Sequence, residues 1–462
     1  MLGAAGQEKL GSAPWARPLL SSSASRAMLR AALRRILFGR SAGWRLGGGI
    51  FLGGLIGLVG SAEASDWWQF RGARQDGIGT ETGMPIAWSE SGNEIRWRTP
   101  IVGLGWSTPA IRDGLAWVTT ADRETGSLRL IAIELEAGEI VRDVEVFRKE
   151  SLGPIHQKNS HASPSPIVTA SEVFVHFGAH GTACVELDGT IRWSRVEDYG
   201  HHHGPGGSPV LFEGTLILTC DGNREQFVEA LDIRTGKSVW RTKREHFLPS
   251  RTDGTDMPAI GFSTPLIVST EAGPQLIAVA ADHVSGFDPR TGRELWWSTY
   301  EGYSNVPMPV VWRDQVFVAT GYTAPQLHAI RIGGSGDVTD THRVWTLERG
   351  APANPTPTLV GDDLYVLNDS GVLMCLSAET GERRWQERIG GNFSASPLLV
   401  DGLLYLQDEN GRTTIVRPGP SYDEVAVNEL DGRTLATPVP VEGGLLIRTD
   451  KELLRIDGAS ER

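Results

Sequence analysis

Side chains with usable chemistry gather in a few short stretches of this 462-residue chain. His156, Lys158, Asn159 and His161 form one group, and His201-His202-His203-Gly204 forms a second. Tyr303, Ser304 and Asn305 make a third, while Asn354 and Asn392 stand singly. Imidazole titrates near neutrality, so His161 or His203 has the chemistry of a general acid or base, although no paired carboxylate accompanies either. In extended chain His201 and His203 point to one side, which makes them the candidates for a transition metal; no spacing resembles a structural zinc site. His176 and His180 are four apart, but Val173 to Phe177 alternates as a strand does, which puts both at a strand end or in a loop. The polar segment from Arg241 to Met257 reads as a loop, with Asp253 and Asp256 within reach of the same region.

What must position these groups is a repeat. Ser/Thr-Pro or a close variant recurs at Thr108-Pro109, Ser163-Pro164-Ser165-Pro166, Ser208-Pro209, Thr264-Pro265, Met308-Pro309, Thr356-Pro357, Ser396-Pro397 and Thr437-Pro438. A short apolar run follows each, then a polar turn and a second apolar run, as in Val210-Leu211, Glu213-Gly214 and Leu216-Ile217-Leu218. Proline is tolerated at the first position of a strand, and the Glu-Gly or Asp-Gly pair marks a hairpin. Later in each unit comes a turn with Gly four residues before Trp: Gly189 and Trp193, Gly236 and Trp240, Gly292 and Trp296, Gly381 and Trp385. The constant offset places each Trp equivalently on an outer strand, where it covers the junction with the next unit.

Eight openers predict eight four-stranded units of propeller-blade length. The last, from Thr437 to Ile456, supplies strands for only three positions and has no Trp. Glu94-Ile95-Arg96-Trp97-Arg98 supplies an orphan strand with a Trp, so an all-β, eight-bladed β-propeller closed by an N-terminal strand is expected; seven blades is the alternative if one weak unit is an insertion. In that architecture the first strand of each blade lines the central channel. Asn159, His161, His202, His203, Tyr303, Asn305, Asn354 and Asn392, all just ahead of openers, are therefore expected around one mouth. Their neutral hydrogen-bonding character suits a small polar, hydroxyl-rich or amide ligand. The plain alternative is solvated loop side chains, or fasteners between blades.

Composition narrows the field. Apolar residues at 40% support a core, and Lys+Arg 44 against Asp+Glu 56 gives −12, which argues against a nucleic-acid partner. Residues 1–64 hold a basic run from Arg26 to Arg45, a Gly-rich apolar stretch from Leu46 to Gly60 and Ala62-Glu63-Ala64. This is the pattern of a secretory signal peptide cleaved at about Ala64, with Met1 or Met28 as the start. The apolar stretch is shorter than the roughly 20 residues of a membrane span, so residues 65–462 are expected as one exported domain, periplasmic or extracellular, with no stable membrane span. With eight Lys and Arg and two Asp and Glu removed in the leader, that domain carries −18. Cys184, Cys220 and Cys375 lie in separate apolar segments and read as buried thiols.

The Ala230-x-Asp232-x-x-Thr235-Gly236-Lys237-x-x-Trp240 unit and its variants resemble the repeat of the PQQ-like (quinoprotein-type) β-propeller family, over essentially all of 66–457. Asp66-Trp67-Trp68-Gln69-Phe70-Arg71-Gly72 also looks like the entry motif of its exported bacterial members. The resemblance implies the fold, and activities that range from quinoprotein alcohol dehydrogenases to an outer-membrane assembly propeller. For the dehydrogenases it implies PQQ over a disulfide of adjacent cysteines, with calcium held by Glu, Asn and Asp. This sequence has no adjacent Cys pair and no Cys-x-x-Cys-His haem site, so tight PQQ binding is not expected. The reading is an exported scaffold that binds a small polar ligand or an envelope protein. The alternatives are an enzyme using the His/Asn-lined mouth and an envelope assembly factor.

Overall fold

The computed structural model describes residues 67–200, 203–248, 259–322 and 324–458. They form eight sheets, antiparallel but for one short added strand. Blade 1 runs Ala110–Arg112, Leu115–Asp122, Ser127–Glu134 and Ile140–Arg148. Blades 2 and 3 begin at Ile167–Val168 and Val210–Phe212 and end at Ile191–Arg195 and Ser238–Lys243. Blades 4 to 7 open at Leu266–Thr270, Val310–Trp312, Thr358–Val360 and Leu398–Val400. Blade 8 has three late strands, Val439–Val441, Gly444–Arg448 and Glu452–Asp457, and takes its fourth, Ile95–Pro100, from the start of the chain. The register sets Trp97 opposite Arg455 and Thr99 opposite Leu453, antiparallel, as the orphan strand predicted.

The core lies between blades rather than within them. Each two-faced sheet buries both sides against its neighbours, as Leu128 and Leu130 of blade 1 do against Val173 and Val175 of blade 2. One such cluster joins Val439 and Leu446 of blade 8 to Ile111 and Val118 of blade 1, so apolar packing continues across the closure.

The repeated Trp does cover the next junction, and the structure shows why glycine precedes it. Indole N–H groups of Trp97, Trp193, Trp240, Trp345 and Trp385 donate to carbonyls of the following blade, at Leu135, Ile233, Pro289, Ala378 and Gly419. Each of the first four rings lies against the turn glycine of that blade: Gly138, Gly236, Gly292 or Gly381. All four glycines have φ between 67° and 73°, and a Cβ there would come within 2.7 Å of the indole. Trp296 departs from this pattern. It is fully buried, donates to Gln275 Oε1 and sits over Gly286 of its own blade. Blade 5 carries an inserted segment after Arg331, whose Gly336–Asp337 adds a fifth, parallel strand beside Trp296 and Trp297.

Residues 67–79 close one end of the ring. Ile111 N donates to Trp67 O, Val168 N to Trp68 O and Leu399 N to Gly77 O. The Arg71 guanidinium, fully buried and lowered to about 10 by that burial, donates to the Pro357 carbonyl. Each donor or acceptor on the ring lies one to three residues past an opener, so this entry motif crosses the end of the channel opposite the openers. Phe70 faces the axial cavity from there. The channel is a cup.

Candidate functional site

The openers form a ring at the mouth. The main-chain N–H of Thr108 donates to Ser165 Oγ, Ser165 N–H to Ser208 Oγ, and Ser208 N–H to Thr264 Oγ1. On the far side Met308 N–H donates to Thr356 Oγ1, Thr356 N–H to Ser396 Oγ, and Ser396 N–H to Thr437 Oγ1, all six at 2.9 to 3.1 Å. The proline after each hydroxyl residue holds it extended and itself lacks an N–H, which leaves the opener's own N–H to reach the next blade. Where Met308 lacks a hydroxyl, Ser263 Oγ donates to Pro307 O instead. Between blades 8 and 1 the link is Arg448, whose guanidinium donates to Ser107 O and Oγ and to Thr119 O. Burial lowers it to about 9, and no carboxylate compensates. From the sequence the openers are expected only as strand starts. Their signal was the hydroxyl itself, present at seven of eight positions although strand entry does not require one.

The ring lines an axial cavity of about 1090 Å³. Of the residues expected there, Asn159, His203, Tyr303 and Asn354 line it. Asn159 Nδ2 donates to the His203 carbonyl (2.8 Å), and Asn159 Oδ1 accepts from Ser163 Oγ (2.6 Å). The His203 ring lies 5.2 Å from that of His156. Asn354 Nδ2 donates to Asp369, which also accepts from the Ala353 N–H. Lys158 reaches over the rim to Glu409 of blade 7 (2.8 Å) and Arg433 donates to the Gln157 carbonyl, so the 156–158 segment straps part of the mouth.

Three expected residues sit elsewhere. Asn305 is fully buried behind the wall, donating to Tyr300 Oη and the Ala319 carbonyl, each at 3.2 Å. His161 is 2% exposed and pairs with His180, Nδ1 to Nε2 at 3.1 Å. Burial, with His180 and Arg123 nearby, lowers His161 to about 4, and burial with Lys149 nearby lowers His180 likewise. Asn392 is exposed, and its carbonyl accepts from Glu409 N–H. The reason is shared: these loops are irregular, so position ahead of an opener fixes where the backbone passes and not which way a side chain turns. His201, His202, Asp253 and Asp256 lie outside the described residues. His176 ends strand Glu172–His176 and His180 ends a 3₁₀ turn, as their non-helical reading required.

Residues 77–204, 224–358 and 334–436 match the family model described as outer membrane protein assembly factor BamB. The protein of that name from Yersinia pestis is 24% identical over 239 residues, which are 48% of this chain and 55% of its own length. Its counterpart from Burkholderia pseudomallei (strain K96243) is 26% identical over 114 residues, 24% of this chain and 29% of its own. The chain thus spans about half the length of the first relative and less of the second. Among solved structures, BamB from Moraxella catarrhalis has a TM-score of 0.53 at 14% identity, over 78% of this chain and 100% of that one. Quinohemoprotein alcohol dehydrogenase from Comamonas testosteroni has 0.62 at 10% identity, covering 87% and 82%. A europium-containing methanol dehydrogenase has 0.61 at 10%, covering 84% and 89%. At such identities these structures share the fold.

PQQ and calcium do not fit the residues present as the dehydrogenase resemblance implies them. Cys184, Cys220 and Cys375 are buried and free, in blades 2, 3 and 6, so none can form a disulfide of adjacent cysteines. Among the described residues no three His, Cys, Asp or Glu side chains are grouped to hold a metal ion.

Proposed function

Because the chain belongs to the outer membrane protein assembly factor BamB family of PQQ-like β-propellers, we propose that it acts as an exported protein-binding scaffold of the cell envelope with an assembly-factor-like role. The observation that carries this reading is on the outer strands of three consecutive blades. Ile140 and Val141 of blade 1, Ile191 and Val196 at the end of blade 2, and Val239 of blade 3 are 36% to 53% exposed. Apolar β-branched side chains in solvent across neighbouring sheet edges suit a protein partner better than a small ligand. Export is supported by the basic run, short apolar stretch and Ala62-Glu63-Ala64 of the leader. No helix among the described residues is long and apolar enough to cross a membrane.

Photo-cross-linking in the native host tests this reading. Probes at positions 141 and 239 are expected to trap one and the same envelope protein, and a probe at Val427 of blade 7 is expected to trap none. A folded Val141→Arg/Val239→Arg variant should lose that partner on co-purification, and the N-terminus of the exported protein should begin near Ser65. Retention of the partner by the double variant would overturn the assignment to blades 1–3.

A further inference from the structure

Apart from any protein partner, the axial cup has the chemistry of a second site. Each of the six ring hydroxyls accepts one main-chain N–H, and that bond leaves it an O–H to donate and a lone pair to accept with. All six line the cavity and are at most 5% exposed. Trp106 also lines it, is 6% exposed, and its indole N–H is buried without a partner. A buried donor without a partner is costly, and a ligand acceptor would recover that cost. Aromatic surface completes the set, with Phe70 from the closed end and Phe262 and Tyr303 from the wall.

The lining selects for charge and shape. Lys158 is committed to Glu409, and the −18 of residues 65–462 disfavours anions, so a neutral ligand fits. Closure by residues 67–79 prevents a chain from threading the axis, so a compact ligand entering from the mouth fits. Groups that both donate and accept, set around aromatic faces, match a polyhydroxylated ring, whose edge offers hydroxyls and whose C–H face packs on aromatic carbon. At about 1090 Å³ the space is at the upper end of the roughly 300–1,000 Å³ usual for ligand sites, ample for one sugar ring or a few. We propose that the axial cup binds a neutral carbohydrate, a hexose or a short oligosaccharide, through the ring of opener hydroxyls and the Trp106 indole.

The test uses the purified full-length exported protein and titration calorimetry with glucose, N-acetylglucosamine and maltotriose, alongside tetraglycine amide as a neutral peptide. Saturable binding of at least one sugar is expected, with a change in Trp fluorescence. Trp106→Phe keeps the ring stacking and removes the N–H, and should weaken binding about five- to tenfold, the scale of one hydrogen bond. Ala353→Arg, which fills the cup from a half-buried wall position, should abolish it. Both variants should match the parent's melting temperature within a few degrees; if Trp106→Phe does not, Thr108→Val, which removes a cavity hydroxyl that takes no part in the ring bonds, serves as the second removal of a cavity donor. No saturable sugar binding, or sugar binding indifferent to Ala353→Arg, would overturn the proposal. Tetraglycine amide binding more tightly than every sugar would also overturn it and assign the cup to a peptide segment.

Discussion

At the residue scale, the groups that looked most reactive are held by the architecture. His176 is buried between Thr182 Oγ1 (2.8 Å) and Tyr199 Oη (3.3 Å), and burial lowers it to about 4. His161, His180 and His328 are also lowered to about 4, burial being the main cause in each. In the unfolded chain a histidine titrates near 6.5, so above that pH both states are neutral and the four contribute no pH slope. As pH falls from about 6.5 towards 4, the unfolded chain takes up protons that the folded ring refuses, and stability drops. Urea unfolding is therefore expected to show lower stability at pH 5 than at pH 7, a window above most carboxylate titration. Changing His176 and His328 to Gln should flatten that slope; a flat profile in the parent would count against neutral buried histidines. The same residues show what the sequence could not convey. His161 and Asn305 stand ahead of openers like the true cavity residues Asn159 and Asn354, yet turn to His180 and Tyr300. Loop position is periodic along the chain, whereas side-chain direction is decided by neighbours from other blades.

At the element scale, the turn and the Trp form one device. The fold was legible because that device recurs at fixed spacing, so Gly236 and Trp240, or Gly381 and Trp385, announce a blade without any knowledge of its neighbours. The partnership itself was only half legible, because Gly236 receives Trp193 of the preceding blade and not Trp240 of its own. Two glycines of one blade separate the backbone and packing roles. Gly214 has φ of 81° and no atom within 4 Å of where a Cβ would stand, so Gly214→Ala meets only the left-handed backbone penalty of about 1–2 kcal/mol. Gly236 has φ of 67°, and its Cβ would lie 2.6 Å from the Trp193 ring, so Gly236→Ala carries the same penalty and must also displace the indole from the Ile233 carbonyl. Gly236→Ala should thus cost at least about 1 kcal/mol more than Gly214→Ala in denaturant unfolding. Trp193→Phe, which removes the indole N–H, should narrow that difference. Equal costs would mean that the indole contact contributes nothing beyond backbone geometry.

At the scale of the whole molecule, continuous chain bridges every junction between blades, and the ring closes instead inside blade 8, where the N-terminal strand pairs with the last of the C-terminal three. The chain runs from Ile95–Pro100 straight into blade 1, so the three late strands of blade 8 are held to blade 1 only by non-covalent contacts: the pairing of Ile95–Pro100 with Glu452–Asp457, Arg448 on Ser107 and Thr119, Arg455 on the Leu135 carbonyl, and a shared apolar cluster. A ring with one such seam opens there first, because elsewhere the polypeptide itself limits separation. Arg448→Met keeps length and apolar bulk but leaves the Ser107 and Thr119 carbonyls without their buried donor, a loss of about 3 kcal/mol on the scale of hydrogen bonds to charged groups. Trp97→Ala removes both the indole bond and the ring over Gly138, for about 3–5 kcal/mol. Each should speed native-state hydrogen exchange in the strands Glu452–Asp457 and Leu115–Asp122 far more than in blade 4, and deletion of residues 67–100 should lower the melting temperature further still by baring the edge of Glu452–Asp457. Trp240→Ala, an equivalent loss on a strand that takes no part in the seam, supplies the comparison. If it accelerates exchange at the blade 8 and blade 1 strands as much as Trp97→Ala does, the ring opens as one unit and the seam has no special weakness.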